Sequence, residues 1–442
     1  MPSGDTRAAP RSLRGILREI GPGLIISANI VGSGELIVTT KLGADVGFTL
    51  LWFIVLGCFI KVFVQLELGR YAISRRRTTL QAMDEVPGPR WRVSWLVWLW
   101  SLMFVALFFG LSGMVGALAQ VLGVAGATLP LPVLAALITG SCAVLLVIGR
   151  YRFIQYAATL MVATFSVFTV FAVLSLYWTP YGITAPQLAS GLSFALPADF
   201  SIAFAAFGVI GVGASELIYY PYWCLEKGYG RWVGPDDGSA AWLERARGWL
   251  RVMRVDALVS LAIYTFATVA FYLLGAAVLH GRGVAVEDAD LMLNLSQLYS
   301  TSFGVAGLWI FVVGAVAVLY STMFISTASN ARLAADFLDL LGWLRLDTPA
   351  RRARAVRLAC VILPASYLVF YLAIERPVLL VTVGAVAQGL MLPFLSGAAL
   401  YFLYRKTDQR LRPSAVGIAL LWLSSVLMAA VGAYQAVRVL AG

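Results

Sequence analysis

Two short segments of this chain each place an acidic residue beside a run of small residues, and they are nearly the same segment. Val31-Gly32-Ser33-Gly34-Glu35-Leu36-Ile37 recurs 181 residues later as Val212-Gly213-Ala214-Ser215-Glu216-Leu217-Ile218, with five of seven positions identical. Both copies lie inside long apolar stretches. A carboxylate there is costly, and two at equivalent positions of a repeat ask for a common reason. One reason is functional: Glu35 and Glu216 bind a cation, carry protons, or do both. The other is structural: each glutamate caps a half-helix by accepting from freed backbone N–H groups. The two roles can coexist.

Glycine lets a backbone leave helical geometry, at about 1 kcal/mol against alanine. At membrane depth, freed backbone groups are tolerated only where they line a polar cavity. Gly32, Ser33, Gly34, Gly213, Ala214 and Ser215 are therefore expected to form two helix breaks that offer carbonyl oxygens to a bound substrate. Asn29 precedes the first break, and Gln388 lies in a later apolar run. Each offers a side-chain oxygen to the same site, or else joins two helices.

The elements that position these residues are membrane helices. Hydrophobic residues make up 60% of the 442 and charged residues 12%, against about 25% charged in an ordinary soluble domain. Apolar runs long enough to cross a bilayer, about 20 residues, recur from end to end. They lack the strict alternation of a membrane β-barrel. Eleven spans are expected, near 20–44, 48–74, 93–121, 130–149, 153–177, 199–226, 255–279, 303–329, 356–374, 377–403 and 414–440. No cleavable leader is read before the first span.

The formal charge of +11 gathers in alternate loops, as at Arg75, Arg76 and Arg77, at Arg150 and Arg152, and at Arg351, Arg352 and Arg354. This is a topogenic pattern and not a nucleic-acid-binding face. It places segment 1–19 in the cytoplasm and, with eleven spans, the C-terminus outside. The expected location is the plasma (inner) membrane, with the lipid bilayer as the main partner and no obligate protein partner indicated. Five spans separate the repeated segments, so the second copy enters from the opposite side. Spans 1–5 (20–177) and spans 6–10 (199–403) then form an inverted repeat, with span 11 (414–440) additional.

Outside the breaks, Lys61 lies deep in span 2. It either neutralises Glu35 or Glu216 until a cation displaces it, or pairs with Glu67 or snorkels inward. Glu67 and Arg70 are spaced to pair on one helical face. Span 8 carries Ser321, Thr322, Ser326, Thr327 and Ser329, whose commonest use is to bond their own helix. Trp242, Leu243, Trp249, Leu250 and Val252 among arginines suggest a helix on the membrane surface or an extension of the next span. His280, the only histidine, is read as a loop residue. The four cysteines have no metal-type spacing.

In these residues the chain resembles the Nramp family of divalent metal-ion transporters. The resemblance runs from Gly21-Pro22-Gly23-Leu24 and Ser27 through the first break, returns in Gly208-Val209-Ile210-Gly211 before the second, and recurs in Leu392-Pro393-Phe394. It implies an all-α integral membrane protein with a LeuT-like 5+5 inverted repeat and helices 1 and 6 interrupted. The ligand motifs depart from the family. Its first motif is Asp-Pro-Gly-Asn; here Gly32 holds the aspartate position and Glu35 the asparagine position. Its second is Met-Pro-His; here Ser215-Glu216-Leu217 lacks both Met and His. Span 3 lacks the acidic residues the family often carries there. Without a thioether in that motif, the expected site is a hard, oxygen-rich one suited to Mg²⁺, Ca²⁺ or Mn²⁺, with Glu35 and Glu216 as metal ligands.

The resemblance thus implies a secondary transporter moving a divalent cation by alternating access, coupled to H⁺. The alternative is H⁺- or Na⁺-coupled transport of an amino acid or other small organic solute, for which Gly32, in place of an acid, would open space. No permanently bound cofactor is expected. Nor is an enzyme: no nucleophile–base pair, phosphate loop or redox motif is present.

Overall fold

The structure is a computed structural model, and it describes residues 6–32, 34–148, 151–197, 201–282 and 291–441. Ser33 and Arg150, both named above, lie outside the described residues. The chain is helical nearly throughout. The first helix, α1 (Leu13–Glu19), starts on Ser12, whose hydroxyl accepts from the Gly15 N–H. Next comes α2 (Pro22–Ile30), with proline at its first position, where a missing N–H costs nothing. A π-helical stretch, Gly34–Thr39, then leads into α3 (Thr40–Val46).

Beyond these follow α4 (Leu51–Arg75), α5 (Thr79–Asp84), a pair of two-residue strands (Arg90–Trp91 and Val93–Ser94), α6 (Trp95–Val124), α7 (Leu131–Ile148) and α8 (Tyr151–Ser175). The second half holds α9 (Ala185–Gly191), α10 (Ser201–Phe207), α11 (Ala214–Lys227), α12 (Tyr229–Val233), α13 (Ala240–Leu274), α14 (Leu291–Phe303) and α15 (Val305–Leu340). It ends with α16 (Pro349–Ile374), α17 (Pro377–Arg405) and α18 (Ala415–Ala441).

Among the described residues, nine helical segments are long and apolar enough to cross a membrane. They match nine of the expected spans. The two others fall on α8 and on the broken pair α10 and α11. The burial pattern is that of a protein in lipid. Leu137, Val313, Val369 and Val426 are exposed, while Lys61, Gln65, Glu35, Asn330 and Thr327 are fully buried. Where α6 and α17 meet, Gly110 and Gly384 let the two backbones touch, the close approach that small residues permit between membrane helices.

Three helices run well past their expected ends. The helix α13 begins at Ala240, not 255, and α15 and α16 extend into the segment read as a loop near 330–355. The sequence left two readings open for Trp242–Val252, and the structure selects the extension. Trp242, Trp249, Leu250 and Val252 are buried. The N-terminal segment lies over them, with the Arg7 guanidinium above the Trp232 and Trp249 rings at 4.4 and 5.1 Å. Periodic apolar residues under a covering strand of chain look like a lipid-facing stripe in sequence alone. The Glu67–Arg70 pair forms at 2.9 Å, and all four cysteines are free and buried.

Candidate functional site

The first break is short. Helix α2 ends at Ile30, and helical structure resumes at Gly34. Gly32 is required by close approach: a Cβ there would stand 1.8 Å from Thr322 Oγ1. The space expected to open at Gly32 is therefore filled by α15, which corrects that expectation. Thr322 also donates to the Asn29 carbonyl at 3.1 Å, so a span 8 hydroxyl serves a carbonyl of α2, while its neighbour Ser321 bonds the Val318 carbonyl of its own helix at 2.9 Å.

The second break is longer and lies earlier than the sequence suggested. Gly208 to Gly213 is non-helical, whereas Ala214 and Ser215 already belong to α11. The segment Gly208-Val209-Ile210-Gly211 is thus the break itself and not its approach. Gly211 has φ +61°, and a Cβ there would meet the Cys58 backbone at 3.0 Å. Together the two constraints favour glycine.

Glu216 sits in the first turn of α11, where the freed N–H groups and helix dipole favour an anion. Its Oε1 accepts from Asn29 Nδ2 at 2.5 Å and its Oε2 from Ser215 Oγ at 2.9 Å. Asn29 Oδ1 in turn accepts from Ser326 Oγ at 2.8 Å. Gln388 of α17 accepts from the Ser215 N–H at 3.1 Å, with the Ser215 hydroxyl 2.7 Å away. These groups line a cavity of about 40 Å³ between α2, α6, α11, α15 and α17. Met114 of α6 is also on its wall. No local pattern singles it out, since a methionine in an apolar span is ordinarily packing.

Glu35 stands apart from this cavity. Its Oε1 accepts from the Gly211 N–H at 3.2 Å and from Thr268 Oγ1 at 3.0 Å. Its Oε2 is buried with no partner among the described residues. The two matched glutamates therefore occupy different surroundings. Glu216 faces the cavity with Asn29, Ser215 and Gly34, whereas Glu35 faces the back of the second break. Among the described residues, no three His, Cys, Asp or Glu side chains form a group that could hold a metal. An ion in the cavity would rest on one carboxylate, neutral side-chain oxygens and backbone carbonyls.

Lys61 does not pair with Glu67, and it reaches Glu35 only through an intervening peptide. Its ammonium donates to the Phe207 carbonyl and, at 2.7 Å, to the Ile210 carbonyl, and it lies 4.3 Å from the Phe207 ring centre. Among the described residues, no carboxylate is within ion-pair distance of it. Other anchors were missed because each is a single polar residue in an apolar run. Asp256 of α13 accepts from the Gly21 and Gly23 N–H groups at 2.8 and 2.6 Å, closing the start of α2. That contact gives Gly21-Pro22-Gly23 its physical meaning. Further along, α11 is tied to α15 by Tyr219–Asn330 at 2.7 Å, Tyr222–Asp336 at 2.6 Å, Trp223–Ser329 at 3.0 Å and Glu226–Arg332 at 3.2 Å.

A family model described as natural resistance-associated macrophage protein-like (Nramp) matches residues 23–438. The Divalent metal cation transporter MntH 1 of Pseudomonas aeruginosa is 25% identical over 413 residues, covering 90% of this chain and 85% of the relative. The Divalent metal cation transporter MntH of Yersinia enterocolitica is 26% identical over 319 residues, covering 70% and 73%. In fold, the chain is similar to a manganese transporter of Eremococcus coleocola, with TM-score 0.70, 16% identity and coverage of 97% and 89%. It is also similar to Mhp1, a nucleobase-cation-symport-1 family transporter, with TM-score 0.58, 16% identity and coverage of 99% and 94%.

Proposed function

Because this chain belongs to the Nramp family, we propose that it moves a divalent metal cation across the membrane through the cavity lined by Glu216. Membership makes the chain a carrier and not an enzyme. The observation that supports this cavity as the ion's path is its size and wall. About 40 Å³ holds a few waters or one partly hydrated ion, whereas pockets for organic solutes are about 300–1,000 Å³. Thr322 fills the space at Gly32 on which the organic-solute alternative relied. One carboxylate with amide, hydroxyl and carbonyl oxygens suits hard cations that keep part of their water shell.

In this reading, Glu216 supplies the charge, and Asn29, Ser215 and Gln388 orient it and exchange hydrogen bonds for the ion's first shell. Gly32, Gly34, Gly213 and Ala214 let the backbones approach. Glu35 contributes to the field at the second break, from outside the cavity. Eleven spans are counted when α8 and the broken pair α10 and α11 are added to the nine. Spans 1–5 and 6–10 then form the 5+5 inverted repeat, the N-terminus is cytoplasmic, the C-terminus is outside, and the membrane is the plasma membrane. The contacts between α11 and α15 act as the inner gate, and alternating access requires that they part. Protons are the proposed coupling ion. The test is uptake of Mg²⁺, Mn²⁺, Ca²⁺ and Fe²⁺ into proteoliposomes. Saturable uptake of at least one supports the reading, and no uptake of any of them contradicts it.

A further inference from the structure

The second break presents bare carbonyls at mid-membrane, the groups that elsewhere would attract a cation. Here a tethered cation already holds them. Lys61 is fully buried, and its ammonium takes the carbonyls of Phe207 and Ile210 together with the face of the Phe207 ring. An ammonium so placed, without a carboxylate in contact, is costly unless its charge is balanced nearby.

The balance is visible in one peptide group. The Ile210 carbonyl accepts from Lys61, and the N–H of the same peptide, on Gly211, donates to Glu35 Oε1 at 3.2 Å. The peptide dipole is therefore aligned between a cation on its oxygen side and a carboxylate on its nitrogen side. Thr268 supplies the second donor to that carboxylate oxygen, and Glu35 Oε2 remains without one. The two groups of a planar trans peptide point opposite ways, and Gly211, at φ +61°, holds the turn that follows.

We propose that the second break is a monovalent-cation site whose resident ion is the Lys61 ammonium, balanced by Glu35 through the Ile210–Gly211 peptide. It shares the break with the transport reading but does not depend on the identity of the cargo. Lys61 acts as a positioning residue: it keeps the break unwound and spares the wild type any need for a free monovalent ion there. Removing the side chain leaves a site of matching chemistry for Na⁺ or a small alkylammonium.

The test uses the full chain in detergent, as wild type, Lys61→Ala, Lys61→Gln and the double variant Lys61→Ala/Glu35→Gln. Melting is followed with about 50 mM methylammonium, Na⁺ or choline at equal ionic strength, since an ion that binds only the folded state raises the melting temperature. Lys61→Ala is expected to melt several degrees lower and to recover with methylammonium or Na⁺ but not choline. Wild type and the double variant should show no such ion dependence. Lys61→Gln, which keeps the volume without the charge, should recover more weakly. In proteoliposomes, metal uptake by Lys61→Ala should fall about tenfold and rise again with the same ions. The proposal is overturned if Lys61→Ala matches wild type without added ion, or if it loses stability with no ion-specific recovery. Failure of both single variants to accumulate even with methylammonium present overturns it too. A wild type that moves no metal leaves the melting result standing and counts against the transport reading alone.

Discussion

Asn29 Nδ2 donates to Glu216 Oε1 across 2.5 Å, so the two interrupted helices meet through one amide and one carboxylate. The amide's other end is fixed by Ser326, which donates to Asn29 Oδ1 at 2.8 Å. A cation that binds Glu216 Oε1 therefore competes with an N–H donor.

That exchange makes Asn29→Asp informative. The variant removes the donor and faces Glu216 with a second carboxylate, a like-charge pair that a divalent cation relieves. The metal-free protein should melt lower than wild type, and its melting temperature should rise more steeply with added Mn²⁺ or Mg²⁺. A smaller metal-induced rise than in wild type would contradict this use of Asn29.

Gly32 is held against Thr322, with 1.8 Å from a would-be Cβ to Oγ1 and 2.6 Å to the Thr322 Cβ. Gly32→Ala should destabilise the protein by about 1–3 kcal/mol, the usual cost of overpacking. Thr322→Gly in the same chain should return part of the loss. Thermal unfolding in detergent reads both. If Gly32→Ala is neutral, α15 does not press on the first break as described.

Glu85 gives a pH dependence outside the membrane spans. Its burial disfavours the charged form, but hydrogen bonds from Lys406 at 2.9 Å and Tyr71 at 2.9 Å, with Arg77 nearby, outweigh this and hold its carboxyl below the usual range. A depressed folded value adds stability above the unfolded value, near pH 4, which is lost as pH falls through the folded one. Glu85→Gln should thus be less stable than wild type at pH 7, and the gap should narrow on acidification below about pH 4. A gap that widens there would contradict the assignment.

The two breaks were legible because glycine, small residues and a glutamate recur together at matched places, and apolar length gave nine of the helices. The position of the second break was not. Its start at Gly208 depends on Lys61 and Glu35 holding the Ile210–Gly211 peptide, contacts between residues 149 and 176 apart that leave no local pattern. Equivalence in sequence also concealed a difference in role. Glu35 and Glu216 stand in matching motifs, yet one backs a peptide and the other lines a cavity, because α4 and α13 surround the first and α6 and α17 the second. Thr268, Asp256 and Met114 were unreadable for the same reason: a lone residue in an apolar span acquires meaning only from what packs against it.

If Glu216 carries the charge in the ion's path, uptake by Glu216→Gln must differ from uptake by Glu35→Gln. In proteoliposomes supplied with the divalent ion that wild type takes up best, Glu216→Gln should abolish saturable uptake and metal-induced thermal stabilisation together. Glu35→Gln should lower the rate yet keep that stabilisation. Uptake by Glu216→Gln within about twofold of wild type, less than about 0.4 kcal/mol in the barrier, would contradict the account.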